Sequence, residues 1–276
     1  MKNRLISVRN AEYQIIQSLK LNRAKRHQLE EIFVEGIESI KQAISAGIEI
    51  TRIIVYNEAG LSDWGKALVR TSKAQLIVMT FDLYKELCDR NEPSELLITA
   101  RVAPLTLAKI TLPEKPFVLI FDRPSDYGNF GSLIRSANAF NVDAIFIIGH
   151  GVDWYDPKTI RASLGAVFHT KIVHIRSMQE LKNWIQQQKP RNGIQVVGTD
   201  STGSTSLVDH TLCRPIALIL GNEAKGMSVA LKELCDFLVR IPLSGAVNSL
   251  NVSCAGSILL WDVYKNSSLH PTANSP

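Results

Sequence analysis

The chain has 276 residues, 45% hydrophobic and 21% charged, with a formal net charge of +5. That balance excludes a disordered polymer, and the length predicts two ordinary domains whose cores need no covalent staples. Cys88, Cys213, Cys235 and Cys254 are scattered, with no C-x-x-C pair or zinc-like spacing, which argues against a disulfide framework and against a metal. The opening MKNRLISVRNAEYQ lacks an apolar signal core, and no run of about 18 apolar residues occurs. A cytoplasmic, non-membrane protein is expected, and the mild basic excess is compatible with an anionic partner.

Apolar runs alternate with helix-period segments, which predicts an α/β fold. In the first half EEIFVEG, ITRIIVY, AQLIVMT and residues 96–102 read as strands, with helices near 37–46, 61–70 and 81–90. Before the first of these strands lies KLNRAKRH, residues 20–27, the densest basic cluster. It suits RNA phosphates and a solvated helix face equally well. Pro104, Pro113 and Pro116 then interrupt regular structure. We therefore expect a domain over residues 1–103, a linker over 104–115, a second domain over 116–268 and a frayed tail over 269–276.

The second half opens with the buried-strand pattern FVLIFD, followed by strands near 142–148, 171–175, 194–199, 216–220 and 237–241. Helices are expected near 131–140, 178–188, 230–235 and 249–265. Three loop-helix segments carry chemistry, because α/β folds place ligands beyond the carboxyl ends of their strands. In the first, residues 122–147, Asn129 and Arg135 fall within two helical turns, so one polar pocket at the helix start can hold both. Arg135 also interrupts a small or apolar face, an unfavourable place for a guanidinium without an anion. A structural pairing with Asp122 or Asp143 is the alternative. The second, ALILGNEAKGMS, places Gly221 at a strand exit and Gly226 in a tight turn, and it lacks the Lys-Ser/Thr ending of a phosphate loop. In the third, residues 240–261, Ser249 is a plausible helix cap with Asn251 in the first turn. Cys254, Ala255, Gly256 and Ser257 there permit close backbone packing. Arg161 is a candidate for the catalytic face. Trp154 and Tyr155 suit packing or base stacking, and His169 and His174 are expected to be structural or superficial.

N-x-G-x-x-x-R-x-A at 129–137, L-G-N-E-x-x-G at 220–226 and I-P…S-L-N-V-S at 241–253 together resemble the three signatures of the SpoU (TrmH-like) branch of the SPOUT RNA methyltransferases. The resemblance covers roughly residues 116–265. More loosely, the first half is similar to the RNA-binding domain often fused ahead of that catalytic domain. The resemblance implies a parallel-sheet α/β fold tied in a deep trefoil knot, S-adenosylmethionine as cofactor, and methyl transfer to a ribose 2′-OH of RNA. Ribosomal RNA is favoured over transfer RNA. It further implies a homodimer with a shared substrate site. Cofactor contacts map to Gly221, Ile241, Leu250 and Thr199, and catalytic positions to Arg135, Asn129, Glu223, Ser249 and Asn251. A guanidinium stays protonated, so Arg135 is expected to hold a phosphate and stabilise the developing alkoxide. Asn129, Ser249 and Asn251 would orient it and the ribose, and Glu223 would orient it or accept the proton. The chain departs from the pattern at Asp126-Tyr127, where relatives often carry Asp-Pro. Three rival readings are a non-catalytic RNA-binding or assembly factor, a Rossmann-type methyltransferase built on Gly128-x-x-Gly131, and methylation of a base nitrogen.

Overall fold

The computed structural model describes residues 4–89 and 92–269. They form two compact units, Met1–Pro104 with Asp153–His169, and Leu105–Val152 with Thr170–Pro276. The predicted helix end at Arg90 and the tail beyond Leu269 lie outside the described residues.

The first unit runs β1 (Arg4–Ile6), α1 (Ala11–Leu21), α2 (Arg23–Leu29), β2 (Glu31–Glu35), α3 (Ile37–Ser45), β3 (Ile50–Val55), α4 (Asp63–Thr71), β4 (Gln75–Met79), α5 (Phe81–Leu87) and β5 (Leu97–Arg101). Its sheet has the order β1-β4-β3-β5-β2, with β5 antiparallel to both neighbours. β1, α1 and α2 are absent from the sequence reading. Tyr13, Ile16 and Leu19 recur at helical spacing and are buried, and Asn22 ends α1 and caps α2. This placement turns part of the basic cluster inward. Lys20 pairs with Asp89 at 2.8 Å. Arg26 is 3% exposed and binds Asp153 at 2.8 Å and Asp156 at 3.1 Å.

The second unit begins with β6 (Phe117–Asp122), α6 (Tyr127–Ala139) and β7 (Ala144–Ile148). The chain then enters the first unit for α7 (Pro157–Ala162). It resumes with β8 (Ile172–Ile175), α8 (Met178–Asn192), β9 (Gln195–Thr199), β10 (Thr205–Ser206), β11 (Ile216–Leu220), α9 (Val229–Lys232), β12 (Phe237–Arg240) and α10 (Val252–Leu269). All seven strands are parallel, in the order β10-β12-β9-β11-β6-β7-β8. A parallel sheet is covered on both faces, so FVLIFD is buried throughout. Val118 and Ile120 join a core with Phe146 and Trp184. Phe121 meets Phe130 of α6 at 5.8 Å.

Two helix starts differ from expectation. α6 begins at Tyr127, not near Gly131, because the Asp126 carboxylate accepts from the Asn129 amide at 2.7 Å. α10 begins at Val252, and its cap is Asn251, not Ser249. The Asn251 side-chain oxygen accepts from the Ser253 amide at 2.9 Å and the Cys254 amide at 3.4 Å. The small residues of α10 do permit close packing. A Cβ at Gly256 would lie 2.5 Å from Leu133 Cδ1, and Ser257 bonds Ser136 at 2.8 Å. Residues 207–215 carry the chain from the β10 edge back to the centre of the sheet, and α10 runs against them. Leu212 donates to Asp262 at 3.1 Å and accepts from Asn266 at 3.2 Å.

Residues 153–169 interrupt the expected continuous second domain, for an electrostatic reason. Asp153, 2% exposed, needs Arg26, and Arg161 binds Glu35 at 3.3 Å and Asp89 at 3.2 Å. Arg161 therefore serves the first unit, not the catalytic face. Trp154 is 8% exposed and packs at a tilt against Tyr155, so packing accounts for this pair. His169 bonds Ser45, and His174 bonds the Gly149 carbonyl.

Candidate active site

β12, β9 and β11 are neighbours whose carboxyl ends open into one cavity of about 700 Å³. Its floor is Thr199, Leu220, Gly221 and Ile241, and its far wall is Leu250 with Val252, Ala255 and Leu259 of α10. All four expected cofactor contacts thus meet in one space, within the size range of small-molecule sites. Glu223 and Ser249 also line it. Gly221 has no room for a side chain. A methyl group there would run into the Met227 nitrogen and lie 2.5 Å from the Gly226 carbonyl carbon. That close approach lets the Gly226–Met227 backbone fold directly against the strand end.

The wall at residues 199–204 is pinned from two sides, by residues the sequence reading missed. Asp200 pairs with Lys232 of α9 and accepts from the Thr202 amide at 2.9 Å and the Thr202 hydroxyl at 2.7 Å. The Lys232 hydrogen bond, aided by the Thr202 amide, holds the Asp200 carboxyl down at about 2. Arg240 donates to the Gly203 carbonyl at 2.9 Å. Burial pushes the nearby Cys235 thiol up to about 12, so it is no nucleophile at neutral pH.

The first and third signatures meet beside this cavity. Asn251 Nδ2 donates to Asn129 Oδ1 at 2.8 Å, joining the start of α10 to the start of α6. The second signature is bound to the first. Glu223 accepts from the Ser125 hydroxyl at 2.6 Å, the Ser125 amide at 3.1 Å and the Asp126 amide at 3.3 Å. Those donors occupy its carboxylate, so within the chain Glu223 holds the loop before α6 and does not reach Arg135. Asp122 closes the other end of the loop by accepting from the Ser228 amide at 2.8 Å.

Arg135 stands apart from this cluster. It follows Asn129 by six residues on α6, which puts it roughly 9 Å along the axis and about two-thirds of a turn away. One pocket at the helix start therefore does not hold both. Arg135 is exposed, does not line the cavity, and has no hydrogen-bond or ion-pair partner among the described residues. The pairing alternatives fail too, because Asp122 is bound by Arg123 and Asp143 by Arg214.

The family model described as "SpoU rRNA Methylase family" matches residues 116–261, and the "SpoU L30e-like domain" matches residues 10–99. Over 275 residues, 99% of this chain and 96% of the relative, the sequence is 34% identical to a 23S rRNA (uridine(2479)-2′-O)-methyltransferase of Streptomyces viridochromogenes. The chain belongs to the SpoU rRNA methylase family. Among solved structures it is similar to the SpoU methyltransferase AviRb from Streptomyces viridochromogenes in complex with AdoMet. The TM-score is 0.87 at 35% identity, covering 94% of this chain and 98% of that one. It is also similar to an RNA 2′-O ribose methyltransferase, with TM-score 0.80 at 29% identity, covering 96% and 99%. The second unit is accordingly a SpoU-type α/β fold with a parallel sheet, and a smaller α/β domain precedes it. The Rossmann-type reading falls, because Gly128 and Gly131 lie inside α6 while the cavity belongs to β9, β11 and β12.

Proposed function

We propose that this SpoU-family protein transfers a methyl group from S-adenosylmethionine to a ribose 2′-OH of RNA, with ribosomal RNA as the substrate. The observation that carries the reading is the cavity whose lining includes Thr199, Gly221, Ile241 and Leu250, next to the Asn129–Asn251 bond. The rRNA activity named for the Streptomyces relative, which aligns over nearly the whole chain, supports the substrate.

Bound in the cavity, S-adenosylmethionine supplies a methyl already activated as a sulfonium. Gly221, Ile241, Leu250 and Thr199 would hold it, the first three largely through backbone groups. Ribose 2′-OH is a poor acid, so the protein must align the oxygen and stabilise its developing charge. Alignment alone is worth roughly 7–11 kcal/mol. Asn251 spends its amide on Asn129, which leaves the Asn129 amide group free to donate to the ribose. Ser249, exposed on the loop before α10, is placed to do the same. Glu223 acts by positioning, because it fixes residues 125 and 126 ahead of Asn129. Arg135 would supply positive charge at the phosphate and the developing alkoxide; as the O–CH3 bond forms and the S–CH3 bond breaks, the hydroxyl proton would leave to water.

Arg135 is free and lies outside the cavity of its own chain, which supports a homodimer in which one protomer's arginine completes its partner's site. Ile258 and Trp261 of α10, 40% and 48% exposed, give that assembly an apolar face. Within this reading residues 1–103 are the RNA-binding domain and residues 116–268 the methyltransferase domain, with 153–169 lent to the first. We assign the protein to the cytoplasm; no helix among the described residues is long and apolar enough to cross a membrane.

Calorimetry of the full chain with S-adenosylmethionine should give a saturable heat. Ribose-methylation mapping of total RNA, with and without the gene, should then lose one rRNA position. A chain that binds no cofactor and changes no ribose would be an RNA-binding or assembly factor instead. Loss of a base methyl in place of a ribose methyl would also overturn the reading.

A further inference from the structure

One side chain, the carboxamide of Asn222, binds the backbones of two cationic residues at the rim of the site. Its Nδ2 donates to the Arg123 carbonyl at 2.7 Å, and its Oδ1 accepts from the Lys225 amide at 3.0 Å and the Ala224 amide at 3.1 Å. A backbone bridge between Asn222 and Gly226, with bonds of 3.0 Å and 2.9 Å, closes the turn that carries Lys225. The base of Lys225 is therefore rigid. Its side chain is exposed and has no partner among the described residues. Glu223 and Gly226 line the cavity on either side of Lys225, which itself does not.

Arg123 is held with φ at +50°, a conformation a bulky residue adopts only under constraint. Gly149 makes room for it, since a Cβ there would lie 2.7 Å from Arg123 Cγ. Nε and Nη2 bind Asp122 at 2.7 Å and 2.9 Å, while Nη1 makes no bond among the described residues and the side chain is 34% exposed. The carboxylates nearby are spent on fixed donors: Asp122 on Arg123 and the Ser228 amide, Glu223 on Ser125 and Asp126, and Asp126 on the Asn129 amide. Glu223 and Asp126 keep their negative charge, and the cationic donors left open to solvent are Lys225 Nζ and Arg123 Nη1.

We propose that Lys225 and the open edge of Arg123 form a clamp for a backbone phosphate of the substrate RNA, distinct from the charge contributed by Arg135. This rests on the methyl-transfer reading above. A fixed base limits the reach of the Lys225 ammonium to the rim, although its side chain still gives up rotamer freedom when a phosphate binds. A phosphate contact carries no base information, so the clamp sets register and affinity, not sequence choice.

The test uses the full chain and an RNA substrate containing the mapped position. Lys225→Ala and Lys225→Glu are exposed changes that should leave S-adenosylmethionine affinity, read by calorimetry, unaltered. We expect KM for RNA to rise several-fold in the alanine variant and further in the glutamate variant. The slope of log KM against log salt should shrink by about 0.7–0.9, the share of one phosphate. Lys225→Arg should restore both. Variants with wild-type KM and salt slope would overturn the clamp, as would a raised KM with an unchanged slope. Wild-type protein that neither binds the cofactor nor methylates RNA would instead bring down the reading beneath it.

Discussion

An arginine buried in the first unit and two exposed cations of the second are put to opposite use. In the first, Arg26 is 3% exposed and gives hydrogen bonds to Asp153, Asp156 and the carbonyls of Leu19 and Lys20. Arg52 there is enclosed by Glu12, Glu31 and Thr99, and Arg161 by Glu35 and Asp89. In the second unit Arg135, at a signature position, and Lys225, at an unspecified position inside the second signature, are exposed with no partner among the described residues. A buried guanidinium survives only when its donors are matched, so the first set is architecture. A cation anchored at its base and empty at its tip is held ready for something from outside. The densest basic run in the sequence turns out to be half architecture, while a lone arginine in an ordinary helix is the better functional candidate.

Arg26→Ala should break this contrast most visibly. It strands the Asp153 carboxylate, and breaking a buried pair costs about 3–5 kcal/mol. Urea denaturation should show that loss, and replacing both partners by apolar residues should recover much of it. A cost under about 1 kcal/mol would mean the network is decorative. Arg135→Ala should do the reverse. With no partner to lose, its melting temperature should stay at the wild-type value. Turnover should fall about 10²–10³-fold, as for removal of one charge-stabilising donor. Cofactor affinity by calorimetry should not move. An unfolding defect in Arg135→Ala would place it with Arg26 and sink the distinction.

The legibility of the molecule follows the same division. FVLIFD and the strands near 144, 195 and 216 were readable because a parallel strand covered on both faces is a continuous apolar run. β1, β10 and α7, of three, two and six residues, are too short to carry a period. Their existence depends on partners far along the chain, as α7 depends on Arg26 and Glu35. The signature residues were readable as types at fixed spacing, and Gly221, Ile241, Leu250 and Thr199 do share one cavity. Their roles were less so. Ser249 and Asn251 are both good caps, and only the chain path decides that Asn251 caps α10. Glu223 was expected near Arg135, yet its nearest donors are the Ser125 hydroxyl and amide. Asn222, which binds Arg123 and Lys225 together, gave no warning beyond its place in L-G-N-E.

Smaller effects sharpen the contrast within the catalytic unit. Gly221→Ala adds a methyl against the Met227 nitrogen and the Gly226 carbonyl, overpacking worth about 1–3 kcal/mol. The turn must shift, so cofactor affinity should drop along with the melting temperature. An alanine variant that binds as tightly as wild type would show that the close approach at Gly221 is dispensable.

The Asp200–Lys232 pair is the gentlest case and the one with a pH signature. Asp200 has a folded pKa of about 2, well below the roughly 3.9 of an unfolded chain. A depressed carboxylate pKa stabilises the fold above about pH 4, and that contribution fades as pH falls toward 2. Lys232→Ala should therefore lower stability at pH 7 by about 1 kcal/mol, a figure discounted because Lys232 is 38% exposed and screened. The gap between mutant and wild type should narrow between pH 4 and pH 2.5, and high salt at pH 7 should narrow it too. Urea curves at three pH values would decide. A gap that ignores both pH and salt would mean that Lys232 supports the cavity wall through the packing of its alkyl stem, and that the charge contributes nothing there.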